Sequence, residues 1–398
     1  MRVIDGQAEF NAQPPLWLWV IGIALTLLIG ISATYFAPIE IGAMMDHFQF
    51  TASGAGALAS AEFAGIALGS LLFPYIAPRV SLGRTAVACC LITAGANMAS
   101  FAEPPLTIFA GLRGISGLAC GAIFAVSCIW SAQSPSPARA LGLASLIVNL
   151  AVAGIMIVIP VLALWLGRMG IFAIVAILAL VGALCLLRIR PGEASGVESR
   201  PAYSGVPAPL LARAGFLAVV FLGNLSLSLV WQYAERLGVA HGFEMAAIAT
   251  VLAVSSIMNI VGALMAAWVG DRFGSLKPII AGLAIAIICG VVASTLPSYP
   301  FFMAAIAIGS GVYIFLIPYF IAGAGQFGDP DKLSAQAGGI GLIASATSPI
   351  LGGMIVDHFA ARGSGWSSAL TALVGLLLTL VLLRVAPATR HTTPKPVL

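Results

Sequence analysis

The chain has 398 residues, of which 60% are hydrophobic and only 8% are charged, and its mean hydropathy is +1.07. Because soluble domains usually carry about 25% charged residues, this composition excludes a soluble protein and predicts an integral membrane protein. The net charge of +4 is small, so no nucleic-acid partner is expected, and the positions of the charges are more informative than their sum.

Long apolar runs recur along the whole chain. A transmembrane helix needs about 20 apolar residues, and the alternation of apolar and polar residues that indicates barrel strands is absent. The first run is too long for the core of a signal peptide and is kept as a span. We therefore predict an all-α integral membrane protein with twelve transmembrane helices, at residues 16–42, 53–77, 85–102, 106–132, 140–166, 170–187, 211–234, 244–269, 278–296, 300–324, 334–356 and 367–384.

The basic residues indicate the orientation of these spans. An even number of spans places both termini on the same side of the membrane. Most basic residues outside the spans fall on that side, whereas Arg168, Arg236 and Arg362 fall on the other. By the positive-inside rule both termini are cytoplasmic, and we expect a multi-pass protein of the cytoplasmic (inner) membrane, surrounded by membrane lipid.

A segment rich in proline, glycine and serine separates the sixth and seventh predicted spans. It reads RIRPGEASGVESRPAYSGVPAP and predicts a flexible cytoplasmic linker at residues 188–210. The chain then divides into an N-terminal six-helix bundle at 1–187, this linker, a C-terminal six-helix bundle at 211–388 and a cytoplasmic tail at 389–398.

The two predicted bundles are related by an internal repeat. A shift of 193 residues aligns Arg79 with Arg272, Gln133 with Gln326, Pro137 with Pro330 and Arg139 with Lys332. Each pair occupies the same loop in its half, which indicates a duplication and predicts two pseudo-symmetric bundles. Many secondary transporters are built from repeated halves, with the substrate site between them near the bilayer midplane.

Two motifs resemble patterns of the major facilitator superfamily. The stretch AAWVGDRFGSLK (266–277) is similar to the family's loop signature Gly-x-x-x-Asp-Arg-x-Gly-x-x-Lys/Arg, although Ala267 stands at the leading glycine. The stretch RGISG, which begins at Arg113, is similar to its fourth-helix pattern of an arginine and a glycine four residues later. The resemblance implies two six-helix bundles, transport by alternating access, and gating loops that contain Arg79, Arg84, Asp271, Arg272, Gly274 and Lys277.

The chain also departs from the family's patterns. Pro78 stands where the first-half loop should carry its acid. Span five lacks the Gly-Pro-x-x-Gly-Gly signature of proton-driven drug exporters, and span one lacks the acidic pair typical of the aromatic-acid symporters. No substrate class therefore follows from resemblance to one branch.

Two ionisable side chains lie deep inside predicted spans, Glu62 in span two and Arg113 in span four. A charge at the bilayer centre costs about 2.5–3.5 kcal/mol on insertion scales, so each needs a partner or water. Both lie at similar depths, and the repeat places the uncharged Ser255 and Ile306 at their positions in the second half. Two interpretations stay open: the pair fixes helix packing, or it takes part in proton coupling or in binding a substrate anion.

Other polar residues inside spans are candidates for substrate binding or proton coupling, namely Asn149, Asn224, Gln232, Asn259 and Tyr313. The alternative is that each one only satisfies the backbone or a neighbouring helix. Near the ends of spans, Glu40, Glu235 and Arg236 are interpreted as solvated charges at the outer mouth. The six cysteines lie in apolar runs without metal-binding spacing, so neither a metal nor a cofactor is expected.

The sequence thus predicts a secondary active transporter of the major facilitator type that moves a small organic solute, coupled to protons through Glu62 and Arg113, as a functional monomer. One alternative is an exporter of lipophilic drugs or metabolites. A more remote alternative is an intramembrane enzyme or a non-transporting sensor. The chain contains neither Gly-x-Ser-x-Gly nor His-Glu-x-x-His, so it is not expected to be an enzyme.

Overall fold

The computed structural model describes residues 15–189 and 208–385, apart from Asp271, Gly325 and Asp329. Most of the predicted linker, the predicted tail and the predicted gating residue Asp271 lie outside this part of the chain. The described chain is all-α. Its helices are α1 Leu16–Gly30, α2 Ser32–Phe48, α3 Ala52–Ile76, α4 Leu82–Phe101, α5 Leu106–Gln133, α6 Pro137–Leu166, α7 Gly170–Arg188, α8 Leu210–Gln232, α9 Ala234–Ala240, α10 Met245–Val269, α11 Leu276–Thr295, α12 Tyr299–Ala324, α13 Pro330–Phe359 and α14 Arg362–Val385.

Twelve segments of the described chain are long and apolar enough to cross a membrane, which confirms the predicted number. Their bounds lie within two helical turns of the predicted ones. Two features were not predicted. The first span is built from two helices, α1 and α2, and the short helix α9 lies between the seventh and eighth spans.

The break in the first span lies at Ile31, whose backbone angles (φ −115°, ψ 14°) are not helical. Pro38, inside α2, has no N–H and cannot donate to the carbonyl of Thr34 one turn earlier. That carbonyl instead accepts a hydrogen bond of 2.8 Å from Nε1 of Trp231 on α8. A backbone group that proline leaves free in a membrane needs such a partner, and here the partner comes from the other half of the chain.

Helix contacts repeat between the two halves. In the first half α3 packs against α5 and α4 against α7, and in the second half α10 packs against α12 and α11 against α14. The contacts that join the halves also correspond. The second span of the first half, α3, packs against α13, and its counterpart in the second half, α10, packs against α6. The described chain therefore has one packing scheme that is used twice.

The repeat extends to the atoms at one helix crossing. A side chain added to Gly69 on α3 would overlap the carbonyl oxygen of Leu118 on α5. A side chain added to Gly262 on α10 would overlap the carbonyl oxygen of Gly311 on α12. Both residues of the first contact are related to those of the second by the shift of 193 residues. Small residues at this position let the two helix backbones approach closely.

Candidate functional site

A central cavity of about 450 Å³ lies between the two halves. The first half contributes residues of α2, α3 and α5, and the second half contributes residues of α8 and of α10 to α14. Six aromatic side chains line it, Tyr35, Phe63, Phe124, Trp231, Tyr313 and Phe320, together with hydroxyl and amide groups. None of the described lining residues is charged, so the cavity favours a solute with aromatic surface and uncharged polar groups.

Four of the five predicted polar residues line this cavity: Asn224, Gln232, Asn259 and Tyr313. The amide of Asn224 donates to the carbonyl of Val220 at 2.8 Å, and Asn259 Oδ1 accepts from the Ser310 hydroxyl at 2.7 Å. The Oε1 atom of Gln232 is buried and has no hydrogen-bond partner in the described chain. It is an unused acceptor beside the cavity, and the side chain would have to turn toward the cavity to accept from a donor group on a solute.

Asn149, the fifth predicted residue, does not line the cavity. It contacts the lining residue Tyr35 instead. Its Oδ1 accepts a hydrogen bond of 3.1 Å from the Tyr35 hydroxyl, and its amide nitrogen donates to the carbonyl of Ser145 at 2.9 Å. Asn149 is 7% exposed and therefore orients a lining residue from behind.

Glu62 and Arg113 form a buried ion pair between α3 and α5. Nη1 of Arg113 lies 3.2 Å from both carboxylate oxygens of Glu62. Nη2 donates to Asn97 Oδ1 at 3.1 Å and to the Ser100 hydroxyl at 2.7 Å. Asn97 and Ser100 were not predicted as partners of Arg113, although their spacing places both on one face of α4. Arg113 is fully buried, and its partners occupy both terminal nitrogens.

Two aromatic rings complete the surroundings of Arg113. Its guanidinium carbon lies 4.5 Å from the ring centre of Phe172 and 5.4 Å from that of Phe109. Neither Arg113 nor Glu62 lines the central cavity, whereas Phe63 and Ile66 of α3 do. In this conformation the ion pair therefore lies behind the cavity wall, where it is shielded from a bound solute.

A second cluster of charges lies where α2, the turn before α7 and α9 meet. Asp46 pairs with Arg168 at 2.9 Å and with Arg236 at 2.7 Å, and Glu235 pairs with Arg168 at 3.0 Å and with Arg236 at 3.1 Å. Arg236 also donates to the carbonyl of Gly42. We call these four charged residues the latch, and this end of the molecule the latch end. The opposite end, where α7 ends and α8 begins, is called the linker end.

The latch corrects the interpretation of Glu235 and Arg236 as solvated charges. The Glu235 side chain is fully buried, and that of Arg236 is 14% exposed. Burial raises the pKa of Glu235, and the charges of Arg236 and Arg168 oppose that rise. The sequence could not reveal this burial, because it depends on which turn of the other half covers α9.

Other hydrogen bonds join the halves at the latch end. The Asp357 carboxylate on α13 accepts from the backbone N–H groups of Ala52 at 2.8 Å and Ser53 at 3.0 Å. Those groups lie at the start of α3, where a helix favours negative charge. The Tyr233 hydroxyl of the second half donates to the carbonyl of Ala52 at 3.1 Å. The cavity extends the other way, to Ile321 and Ala337, so it is closed at the latch end and reaches toward the linker end.

Glu40 also differs from expectation. It was interpreted as a solvated charge, but it is 4% exposed and lies among buried residues of α2. That interpretation is wrong because α3, α7, α8 and α9 pack against α2. Its apolar neighbours in the sequence were the only available sign of burial.

The predicted gating residues within the described chain lie at the linker end, in the loops or in the first turns of α4 and α11. Arg79 donates to the carbonyl of Tyr75 at 2.9 Å, and the guanidinium of Arg272 lies 5.6 Å from the ring centre of Trp268. Gly274 has a φ of +67°, a conformation that favours glycine. The side chains of Arg84 and Lys277 are exposed. None of these residues joins the two halves in this conformation.

Comparison with known proteins agrees with this architecture. The model of the Major Facilitator Superfamily matches residues 22–340. A gentisate transporter of Corynebacterium glutamicum is 23% identical over 371 aligned positions, which cover 85% of this chain and 80% of the relative. The solved structure of the nucleoside transporter NupG has a TM-score of 0.70 at 14% identity, covering 93% of this chain and 98% of that one. A bacterial homologue of the human lysosomal transporter Spinster, solved in an inward-facing and unoccupied conformation, has a TM-score of 0.69 at 14% identity, covering 94% and 98%.

Proposed function

This chain belongs to the Major Facilitator Superfamily and is a transporter of small solutes, and we propose that it moves an aromatic organic acid across the cytoplasmic (inner) membrane by alternating access. The N-terminal bundle (1–187) and the C-terminal bundle (211–388) rock against each other, joined by the linker at 188–210. Both termini are cytoplasmic, because the basic residues concentrate at the linker end. The protein works as a monomer, since each chain contains both halves of its cavity.

The observation that carries this proposal is a cavity shared by both halves and closed at one end only. Ion pairs and hydrogen bonds between the halves close the latch end, as described for Asp46, Asp357 and Tyr233. The gating loops at the linker end make no contact of this kind among the described residues. The conformation is therefore inward-facing, and transport requires the latch to open while the linker end closes.

The lining of the cavity supports an aromatic acid as the solute. The relative from Corynebacterium glutamicum is a gentisate transporter, and gentisate is a benzoic acid with two phenolic hydroxyl groups. Tyr35, Trp231 and Tyr313 offer ring surfaces, and the free acceptor on Gln232 suits a phenolic donor. Because no cation lines the described cavity, co-transport of a proton would neutralise the acid during its passage.

Proton coupling acts through Glu62 and Arg113. A guanidinium held next to a carboxylate favours the ionised acid, whereas separation of the two in a buried site favours the protonated acid. A shift of α3 relative to α5 within the N-terminal bundle would thus change how tightly this region holds a proton. The pair also holds α3 and α5 together, so a test must distinguish coupling from packing.

Purified protein in proteoliposomes tests both parts of the proposal. An inward pH gradient should drive accumulation of radiolabelled gentisate, and collapse of the gradient should abolish accumulation while counterflow exchange continues. Glu62→Gln should lose gradient-driven accumulation and retain counterflow. Transport by this variant with unaltered pH dependence would dismiss coupling through Glu62, and absence of any gentisate flux in the wild type would dismiss the aromatic-acid assignment.

The alternative of an exporter of lipophilic compounds is favoured by one observation, the uncharged and largely apolar lining of the cavity. A strain that lacks the protein should then become more susceptible to lipophilic drugs. An unchanged susceptibility profile together with gentisate uptake would reject this alternative. Membership of a transporter family places the chain outside the enzymes.

A further inference from the structure

Two polar side chains, one from each half, come together in the wall of the central cavity. They are Tyr35 on α2 and Asn259 on α10. Tyr35 is 8% exposed and Asn259 is 5% exposed. The side chain of Asn259 lies close enough to the Tyr35 hydroxyl to act on its oxygen electrostatically. Because buried polar groups are normally hydrogen-bonded, the donors and acceptors of this pair can be accounted for one by one.

The proton of the Tyr35 hydroxyl is already used. Tyr35 donates it to Oδ1 of Asn149 at 3.1 Å. The amide nitrogen of Asn149 donates to the carbonyl of Ser145 at 2.9 Å, which fixes the orientation of the amide and keeps its oxygen toward Tyr35. Because the phenolic proton points to Asn149, the oxygen of Tyr35 can only accept from a further partner.

Asn259 is held in the opposite sense. Its Oδ1 accepts a hydrogen bond of 2.7 Å from the hydroxyl of Ser310, which also lines the cavity. An amide whose oxygen is turned to Ser310 directs its two N–H groups the other way, as donors. Where Tyr35 and Asn259 meet, the cavity wall therefore presents an acceptor oxygen beside a donor nitrogen.

A hydroxyl group is the substituent that matches this acceptor and donor. It donates its proton to the Tyr35 oxygen and accepts an N–H of Asn259 through its own oxygen. A hydrogen atom on a ring can do neither, and a carboxylate or a methoxy group can only accept. Phe63 and Phe124 supply ring surface in the same cavity, so the hydroxyl that fits is one carried by an aromatic ring.

This arrangement occurs once, although the fold is built from a repeat. The shift of 193 residues places Ser228 at the position of Tyr35 and Ile66 at the position of Asn259. The second half therefore lacks the tyrosine and the first half lacks the amide. The pair is not part of the duplicated helix packing, which favours a role in binding over a role in the scaffold.

We propose that Tyr35 and Asn259 determine the specificity of transport by binding a hydroxyl group on the aromatic ring of the solute. Asn149 acts through Tyr35 and is a positioning residue, because it keeps the phenolic proton out of the cavity. The preferred solutes are hydroxylated aromatic acids rather than unsubstituted ones. This inference rests on the transport of an aromatic acid proposed above, and it names the substituent that the cavity recognises.

Calorimetric titration of the purified protein in detergent tests the proposal by binding alone. The probes are benzoate, the ortho, meta and para hydroxybenzoates, and their methoxy ethers. The best-bound hydroxybenzoate should bind about tenfold or more tightly than benzoate and than its own methoxy ether, because it makes two hydrogen bonds that those acids cannot both make.

Variants assign this preference to the two side chains. Tyr35→Phe and Asn259→Leu should each weaken the best hydroxybenzoate to about the affinity of benzoate, while benzoate binds as it does to the wild type. A general loss of structure would weaken all the acids alike, so the ratio of affinities reports recognition. Tyr299→Phe is the matched control and should keep the wild-type ratio, because its hydroxyl donates to the carbonyl of Ala247 at 3.2 Å and does not line the cavity.

The positioning role of Asn149 has its own signature. In Asn149→Leu the Tyr35 proton loses its acceptor and can turn into the cavity, where it can be donated to an ether oxygen. The methoxy ether should therefore gain affinity relative to the hydroxybenzoate in this variant. An unchanged ratio of the two would reject the role of Asn149.

The same titrations distinguish this proposal from the one on which it rests. Equal affinity of the wild type for benzoate and for every hydroxybenzoate would overturn the hydroxyl site and leave the aromatic-acid assignment in place. A wild-type preference that survives in both Tyr35→Phe and Asn259→Leu would overturn it as well. Wild-type protein that binds none of these acids would reject the aromatic-acid assignment itself.

Discussion

The latch predicts how the protein responds when a single charge is removed. Asp46→Asn removes one ion pair between the halves, that with Arg236, and one within the first half, that with Arg168. The Asp46 side chain is 33% exposed and that of Arg236 is 14% exposed, so solvent screens part of their attraction. A partly exposed pair contributes about 0.2–1 kcal/mol, and we expect the closed latch to lose about that much.

This loss converts into a change in population. Since about 1.4 kcal/mol corresponds to a factor of ten, the ratio of open to closed latch should rise by about 1.4- to 5-fold. Glu235 keeps its pairs with Arg168 and Arg236, so the variant has no unpaired buried charge and should fold. Distances between spin labels at two exposed positions of the latch end, Thr107 and Glu244, measure the population in a background without the native cysteines.

A matched control is available at the same end of the molecule. Glu103→Gln also removes one acid, but its partner His47 belongs to the same half. The control should therefore leave the distance distribution unchanged, whereas Asp46→Asn should add a population at longer distances. Identical distributions in the two variants would refute the role of the latch in holding the halves together.

Three further predictions follow from the site and the helix crossings. Arg113→Ala leaves Glu62 buried without its partner and should destabilise the protein by about 3–5 kcal/mol, with Arg113→Lys less affected, as measured by thermal unfolding in detergent. Gly65→Ala would place a carbon 2.8 Å from the Gly114 carbonyl oxygen and 2.9 Å from the Leu118 nitrogen, and should lower the stability of the fold by about 1–3 kcal/mol. Gly114→Ala, whose added carbon meets nothing within 4 Å, should leave stability unchanged in the same assay. Burial raises the pKa of Glu235 above its ordinary value of 4.5, so the closed latch binds a proton more tightly than an open, solvated latch does. Closure of the latch is therefore favoured at low pH and weakens as the pH rises through the raised pKa. The spin-label distances should show this pH trend in the wild type, and Glu235→Gln should abolish it.

The membrane-spanning architecture could be predicted from the sequence because it depends on local composition. Each span must satisfy its own backbone hydrogen bonds and present apolar side chains over a fixed length, and both properties are visible in a window of about 20 residues. The contact between Glu62 and Arg113 was also accessible, since depth along two helices follows from counting residues. The break at Ile31 was not, because no proline stands at that position to indicate it.

The polar contacts between the halves could not be predicted. Trp231 donates to a carbonyl that Pro38 leaves free, and Asp357 accepts from the first turn of α3, but each contact joins residues far apart in the chain. The burial of Glu40 and Glu235 has the same origin. Both lie near the ends of predicted spans, where solvation is the usual state, and only the packing of the other half removes them from water.

The interruption at Ile31 has a mechanical consequence. It separates α1, which packs against α5, α6 and α7, from α2, a rod of 17 residues that is about 25 Å long. Tyr35 at the cavity and Asp46 near the far end both belong to this helix. A tilt of α2 about the pivot at Ile31 would therefore move the solute contact and the closure together, so that one short helix synchronises two events of a transport cycle.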